Sequence, residues 1–171
     1  LAAAGPGETT AIPRFDKLSD DRLPRPEWTE ITGRPDCILL EGWCVGLRAA
    51  YLGPLGSPVN ALEAEEDPEG VWTRWSAAQL PAYEAIWDWI DYLLGIRLPD
   101  LETVIRSRLR QEQGLVAAGG DSARAMDEQG VRRFVAHYER HTLALWAHFP
   151  EVADRLVLRD AAFEYRPFAA S

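Results

Sequence analysis

At 171 residues and 47% hydrophobic, the chain is long enough for one domain with its own core and too short for two comfortable ones. Its net charge of -9 argues against a protein that binds the nucleic-acid backbone, which needs a basic face that this balance does not supply, although an acidic protein can still bind phosphate locally. The two cysteines form no CxxC pair, no apolar run approaches the roughly 20 residues of a membrane span, and the Ala-rich start lacks a basic flank. A soluble, cytoplasmic protein with ordinary thiols is expected, with neither nucleic-acid nor membrane partners.

Leu1 stands where an initiator Met is expected, and Leu1 to Thr10 is small, polar and rich in Gly and Pro. It reads as a loop in a chain that begins inside a longer parent. Ile12 to Arg22 crowds Asp16, Lys17, Asp20, Asp21 and Arg22 behind Phe15 and Pro13. Two readings stand: a solvated charged loop, or a loop whose Lys17 and Arg22 receive an anionic substrate. Pro24 to Gly33 carries Trp28 in a short turn or helix.

Cys37-Ile38-Leu39-Leu40, bounded by Pro35 and Gly42, reads as a strand buried on both faces. Glu41 then places a carboxylate at the carboxyl end of a parallel strand, where open α/β sheets hold their ligands. Leu47 to Pro58 is a Gly/Pro-punctuated loop, and Asn60, Glu63, Glu65, Glu66 and Asp67 follow it. A helix is expected from about Leu80. Leu80, Tyr83, Trp87, Ile90 and Leu94 form its apolar stripe, with Glu84, Asp88 and Asp91 on a solvated face.

Tyr92 to Leu98 reads as a second strand, and Pro99 suits the first turn of the next helix. In that helix Leu101, Val104, Ile105, Leu109, Leu115 and Val116 form the buried stripe, and Arg108 and Glu112 fall inside it at i, i+4. Charges in such a place are either a paired, snorkelling couple or groups aimed at a ligand. Arg106 and Arg110 read as solvated, and the glycines from Gly114 towards Ala125 as a mobile flap. Asp127 opens the last helix, with Val131, Val135, Tyr138, Leu145, Trp146 and Phe149 as its core face. His137, His141 and His148 share another face without an acidic or Cys companion at metal-binding spacing, so a metal site is not favoured. Pro150 ends that helix and Arg155 to Arg159 is a third strand. The order strand, helix, strand, helix pair, strand predicts an α/β fold, a parallel sheet with crossover helices.

Several motifs in one order resemble a known family. Phe15-Asp16-Lys17 with Arg22, Arg34-Pro35-Asp36 leading into Glu41-Gly42-Trp43-Cys44-Val45-Gly46, Pro58-Val59-Asn60-Ala61-Leu62-Glu63, Arg106 to Gln113, and Met126-Asp127 resemble D-glycerate 3-kinase and its bacterial kinase-like relatives. Those proteins are P-loop kinases of the uridine kinase and phosphoribulokinase group. The resemblance implies that residues 1–160 form the carboxyl-terminal part of one P-loop kinase-like domain and 161–171 a tail. It implies ATP and Mg2+ as cofactors and a small D-glycerate-like hydroxy acid as phosphoryl acceptor. Asp16, Lys17 and Arg22, with Trp43 and Asn60, fall on the substrate side. Glu41 orders the water shell of Mg2+, and Arg108, with Gln111 and Glu112, belongs to a lid whose arginine approaches the transferring group. The departure is that no GxxxxGK[ST] occurs: Gly5-Pro6-Gly7-Glu8-Thr9-Thr10 lacks the lysine and the preceding strand. The expectation is therefore the carboxyl-terminal part of a kinase with its amino-terminal P-loop portion missing. The alternative is a non-catalytic metabolite-binding or interaction module derived from such a kinase.

Overall fold

The computed structural model describes residues 1–16, 21–117 and 125–167. These residues divide at Glu41/Gly42 into two units.

In the first unit, β1 (Thr9–Ile12), β2 (Phe15–Asp16), β3 (Asp21–Arg22) and β4 (Thr29–Thr32) form two short antiparallel pairs. β1 runs against β4 from Thr9↔Thr32 to Ile12↔Thr29, and β2 against β3 as Phe15↔Arg22 and Asp16↔Asp21. Thr, Ile and Phe at these positions favour extended backbone, which the abundance of Gly and Pro nearby concealed in the sequence. Gly33, at φ +78, closes the β1–β4 pair by donating its N–H to Glu8 O at 2.8 Å, in backbone space that glycine alone occupies without strain. Trp28 follows a turn at Arg25–Glu27 and donates its indole N–H to Leu23 O at 2.7 Å.

The segment Cys37–Leu40 corrects the sequence reading. It enters no ladder, and Ile38, Leu39 and Leu40 are 51%, 90% and 49% exposed. The apolar pattern describes what a strand could bury; burial itself requires neighbouring strands, and none among the described residues pairs with it.

In the second unit, α1 (Ala61–Glu66), α2 (Val71–Trp87), β5 (Leu94–Arg97), α3 (Leu101–Ala117), α4 (Glu128–Val152), β6 (Arg155–Arg159) and β7 (Tyr165–Pro167) follow in order. Side-chain oxygens set the helix starts. Asn60 Oδ1 accepts from Glu63 N at 3.0 Å, Asp100 Oδ1 from Thr103 N at 2.7 Å, and Asp127 Oδ1 from Gly130 N at 2.7 Å. Asp67 accepts from the amides of Trp72 and Thr73 and from the Thr73 hydroxyl, so α2 begins at Val71, well before Leu80. Burial pushes the Asp67 carboxyl up, and these amide and hydroxyl bonds outweigh it and hold it below its ordinary value.

The sheet has the order β5-β6-β7. β5 and β6 are parallel, from Leu94↔Arg155 to Arg97↔Leu158, and β7 joins antiparallel to β6. The expected parallel sheet is thus a mixed one: only β5 and β6 are parallel, β7 is antiparallel, and Tyr165–Pro167 is a strand rather than tail. One core gathers Leu47, Leu145, Trp146, Phe149 and Leu156, and a second holds Ile105, Val131 and Val135 between α3 and α4. Gly95 makes the contact between sheet and α4 possible, since a Cβ there would stand 3.1 Å from both Phe149 and Leu156.

Other departures have local causes. Pro150 lies inside α4, which runs on to Val152. Leu115 and Val116, expected in the buried stripe, are 59% and 38% exposed in the last turn of α3. Asp88 is exposed as expected, whereas Glu84 is partly buried, and both are engaged. Glu84 Oε1 accepts from Ala49 N at 2.7 Å, and Arg48 Nη2 donates to Asp88 Oδ1 at 2.7 Å, tying the loop before α1 to α2. Of the expected flap, Gly114 lies in α3 and residues 118–124 fall outside the described residues.

Candidate functional site

The head of the site is on α3. Arg108 and Glu112, one helical turn apart, form an ion pair with Nη2 and Oε1 2.6 Å apart, and Arg108 Nη1 donates to Gln111 Oε1 at 3.3 Å. Glu112 is buried, and its second oxygen accepts from Met126 N at 3.1 Å, which binds the body of α3 to the approach of α4. The Arg108–Glu112 contact is an ion pair, and among the described residues neither Glu112 Oε1 nor the buried Arg108 Nε–H has a hydrogen-bond partner. Both readings of the pair hold in part. It is a paired couple, and it retains one unspent donor.

Arg108 also stacks on an aromatic cluster. Its guanidinium lies 5.4 Å from the Phe134 ring centre, Phe134 meets Tyr138 at 5.1 Å, and Tyr138 stacks on Trp43 at 4.9 Å with 15° between planes. Trp43 is fixed in rotation as well: its indole N–H donates to Thr142 Oγ1 at 2.9 Å, and that hydroxyl donates to Tyr138 O at 2.8 Å. Phe134, Tyr138 and Thr142 recur every four residues on one face of α4, so a single helix face connects Trp43 to Arg108. The sequence assigned Tyr138 to the core; it is instead 37% exposed and a partner of Trp43.

On the other side of α3 the exposed Arg106 and Arg110, expected to be solvated, join Arg159 of β6 in a cationic cluster. Arg106, Arg110 and Arg159 place their guanidinium carbons 6.0, 5.5 and 5.0 Å from the ring centre of Phe163. Arg159 is fixed further by donating to Ser107 Oγ at 3.0 Å. Phe163 adopts φ +68, a left-handed conformation unusual for an aromatic residue. Among the described residues none of these three arginines has a carboxylate within ion-pair distance. Only the i, i+2, i+4 recurrence of Arg106, Arg108 and Arg110 hinted at this cluster, and β6 and the turn after it complete it.

Asn60 is fully employed inside the protein. Besides its cap, its amide donates to Ala136 O at 2.9 Å and Glu139 Oε2 at 3.0 Å. Beside it, Arg140 Nε and Nη2 grip the two oxygens of Glu63 at 3.0 and 2.5 Å, and Nη2 also donates to Ser57 O at 2.6 Å. This buried pair holds α1 on α4. The sequence reading missed it because 77 residues separate the partners.

The remaining expected residues belong to the first unit. Asp16 is half-buried on β2. Arg22 is exposed on β3, with its backbone N–H on Asp21 Oδ1 at 2.6 Å. Lys17 lies outside the described residues. Glu41 is exposed. Among the described residues no group of three or more His, Cys, Asp or Glu could hold a metal ion, and no helix is long and apolar enough to cross a membrane.

Small sheets and packed helices make a mixed α/β fold, and that fold has a counterpart among solved structures. The structure aligns with D-glycerate 3-kinase from Cryptococcus neoformans var. grubii at a TM-score of 0.62 and 23% identity, covering 94% of this chain and 60% of that one. The sequence is homologous to the chloroplastic D-glycerate 3-kinase of Arabidopsis thaliana, 29% identical over 171 residues, covering 94% of this chain and 34% of that protein. An uncharacterized kinase of Schizosaccharomyces pombe is 29% identical over 143 residues, covering 78% of this chain and 48% of its own length. The chain thus spans between a third and a half of the curated relatives it matches. No protein-family profile matches it.

Proposed function

We propose that the chain is the acceptor-side and lid portion of a cytoplasmic kinase that transfers the γ-phosphoryl group of ATP, with Mg2+, to a small D-glycerate-like hydroxy acid. The observation that carries this reading is Arg108. It is a guanidinium held in place by Glu112, Gln111 and Phe134, with an Nε–H that has no acceptor among the described residues, on a helix whose other side, with Arg159 of β6, gathers three arginines that have no carboxylate partner among the described residues. Phosphoryl transfer asks a protein for positioning and charge neutralisation more than for covalent steps. Fixed cations supply that neutralisation without reorganising when charge develops. In this reading Arg108 approaches the transferring group, and Arg106, Arg110 and Arg159 take the charge of a polyphosphate.

Of the implied cofactors, Mg2+ suits a carboxylate such as Glu41, whereas the loop that would cradle the triphosphate of ATP has no counterpart in these 171 residues. Mg2+ is commonly held by one or two carboxylates together with waters and substrate phosphates, so an exposed carboxylate such as Glu41 suffices as the protein's contribution, acting through water. When bound, the metal neutralises charge on the phosphates. Lys17 and Arg22 receive the acceptor's carboxylate, the planar fork of Arg22 matching it in two-point fashion, and Asp16 accepts from its hydroxyl. Trp43 offers a rigid wall, and Asn60 acts by locking α1 to α4.

One feature favours a second reading for the 171 residues taken alone. They contain no GxxxxGK[ST], which suits binding of the metabolite without turnover. The two readings separate in one pair of measurements. ADP release is assayed with D-glycerate on the product of the complete reading frame, alongside its Arg108→Gln variant. Calorimetry with D-glycerate is run on the 171-residue chain. The kinase reading expects turnover, reduced about 100-fold in the variant. Binding of D-glycerate by the 171-residue chain with no ADP formed by the complete protein supports the binding module instead.

A further inference from the structure

Away from the arginines of α3, a cleft of about 210 Å³ opens between α2 and α4, lined by Trp72, Trp75 and Ser76 on one side and His137, Arg140 and His141 on the other. An apolar cavity of roughly 150 Å³ accommodates a benzene ring, so this space takes one small ring compound. We propose that the cleft is a ligand site of its own, selective for a small uncharged ring compound that carries an N–H donor. It is separate from the phosphoryl-transfer reading and does not depend on it.

The walls are π surfaces. Trp72 and His137 meet at 5.6 Å with a 52° tilt, so the two rings form a corner rather than closing on each other, and Trp75 is 67% exposed at the rim. An exposed indole beside a cavity offers stacking area at little conformational cost.

The polar groups select against charge. Arg140 is the one cation with a buried head here, and it is spent: both carboxylate oxygens of Glu63 and the carbonyl of Ser57 hold it. An anionic ligand therefore finds no free positive charge. His141 shares a hydrogen bond with Ser76 Oγ at 3.1 Å. Burial, and then the neighbouring Arg140, lower its affinity for a proton against a smaller opposing effect of Glu63, so it stays neutral near pH 7. The Ser76–His141 pair can present either a donor or an acceptor, because the hydroxyl rotates and the ring has two tautomers.

His137 gives the preference for an N–H. Its Nδ1 stands 2.8 Å from Arg133 O, and a carbonyl only accepts, so Nδ1 carries the proton. In the neutral ring Nε2 is then a lone pair, with no partner among the described residues. A ligand N–H can donate to it while the ligand ring stacks on tryptophan.

The test is a ligand-observed NMR titration of the 171-residue chain at pH 8 with benzimidazole, with benzoate as the anionic ring of similar size. Benzimidazole is expected to bind saturably in the millimolar range and benzoate at least tenfold more weakly. His137→Phe keeps a ring but loses the acceptor, and Trp75→Ala removes an exposed wall; neither disturbs the core, and each is expected to weaken benzimidazole several-fold to tenfold. The proposal is overturned if benzoate binds as tightly, if benzimidazole binding survives both substitutions unchanged, or if a chain with native circular dichroism shows no saturable binding.

Discussion

Replacing Arg140 with methionine tests the energetics of the second unit. The substitution keeps an unbranched apolar stem and removes three hydrogen bonds, at 3.0, 2.5 and 2.6 Å, from a side chain only 9% exposed. What remains is Glu63, 10% exposed, with the amide of Val59 at 3.0 Å as its one other donor. Breaking a buried pair from one side costs about 3–5 kcal/mol, because the surviving charge is left in a poor solvent for it. A domain of this size has on the order of 5–15 kcal/mol in total, so the variant loses a large share of its stability. Burial pushes the Glu63 carboxyl up, but the Arg140 bonds and the Val59 amide outweigh it and hold it below its ordinary value of 4.5. The sign follows: this contribution is present above about pH 4.5 and is lost as pH falls through the depressed folded value. The deficit of the variant should therefore be full at pH 7 and shrink in acid. Urea denaturation by far-ultraviolet circular dichroism at pH 7 and pH 4 measures both. Pairing Arg140→Met with Glu63→Gln removes the stranded charge and should recover part of the loss. A deficit under 1 kcal/mol at pH 7, or a double variant no more stable than the single one, refutes the reasoning.

Three further outcomes are expected. In the complete protein, Glu41→Gln should lower turnover while moving stability by no more than about 0.5 kcal/mol, as for an exposed substitution; unchanged turnover in an ADP-release assay removes Glu41 from the chemistry. Lys17→Ala should raise the KM for the hydroxy acid more than that for ATP, and equal effects place it elsewhere. Iodoacetamide at pH 8.5 should label the exposed Cys37 well before Cys44, whose thiol burial pushes up to about 11, and equal rates by mass spectrometry contradict this. Because that pKa is raised, the neutral Cys44 stabilises the fold up to about pH 9, and the contribution disappears as pH rises towards 11.

How much of this was legible in the sequence depends on the range of the interaction. Capping side chains lie three residues from the amides they satisfy, so the start of α4 could be read from Asp127, whereas α3 starts at Leu101 behind the cap of Asp100, with Pro99 before the helix rather than in its first turn. The Arg108–Glu112 pair was readable because helical periodicity fixes i, i+4 neighbours before any tertiary contact forms. Trp43 and Tyr138, Asn60 and Glu139, and Glu63 and Arg140 were beyond such reasoning. Each joins a loop or short helix to α4 across more than 75 residues, and nothing local distinguishes Arg140, which is buried, from Arg132 and Arg133, which are exposed on the same helix.

The segment Cys37–Leu40 shows the converse limit. Its composition is that of an interior strand, and the motif reading placed a catalytic acid at its end, yet among the described residues nothing pairs with it. A strand's burial belongs to the sheet that receives it, whereas a helix such as α4 carries its buried and exposed faces in its own period. That difference is why Glu41 remains a proposal resting on pattern and resemblance, and why Arg108, held by contacts within its own helix and the next, is the firmer place to test the kinase reading.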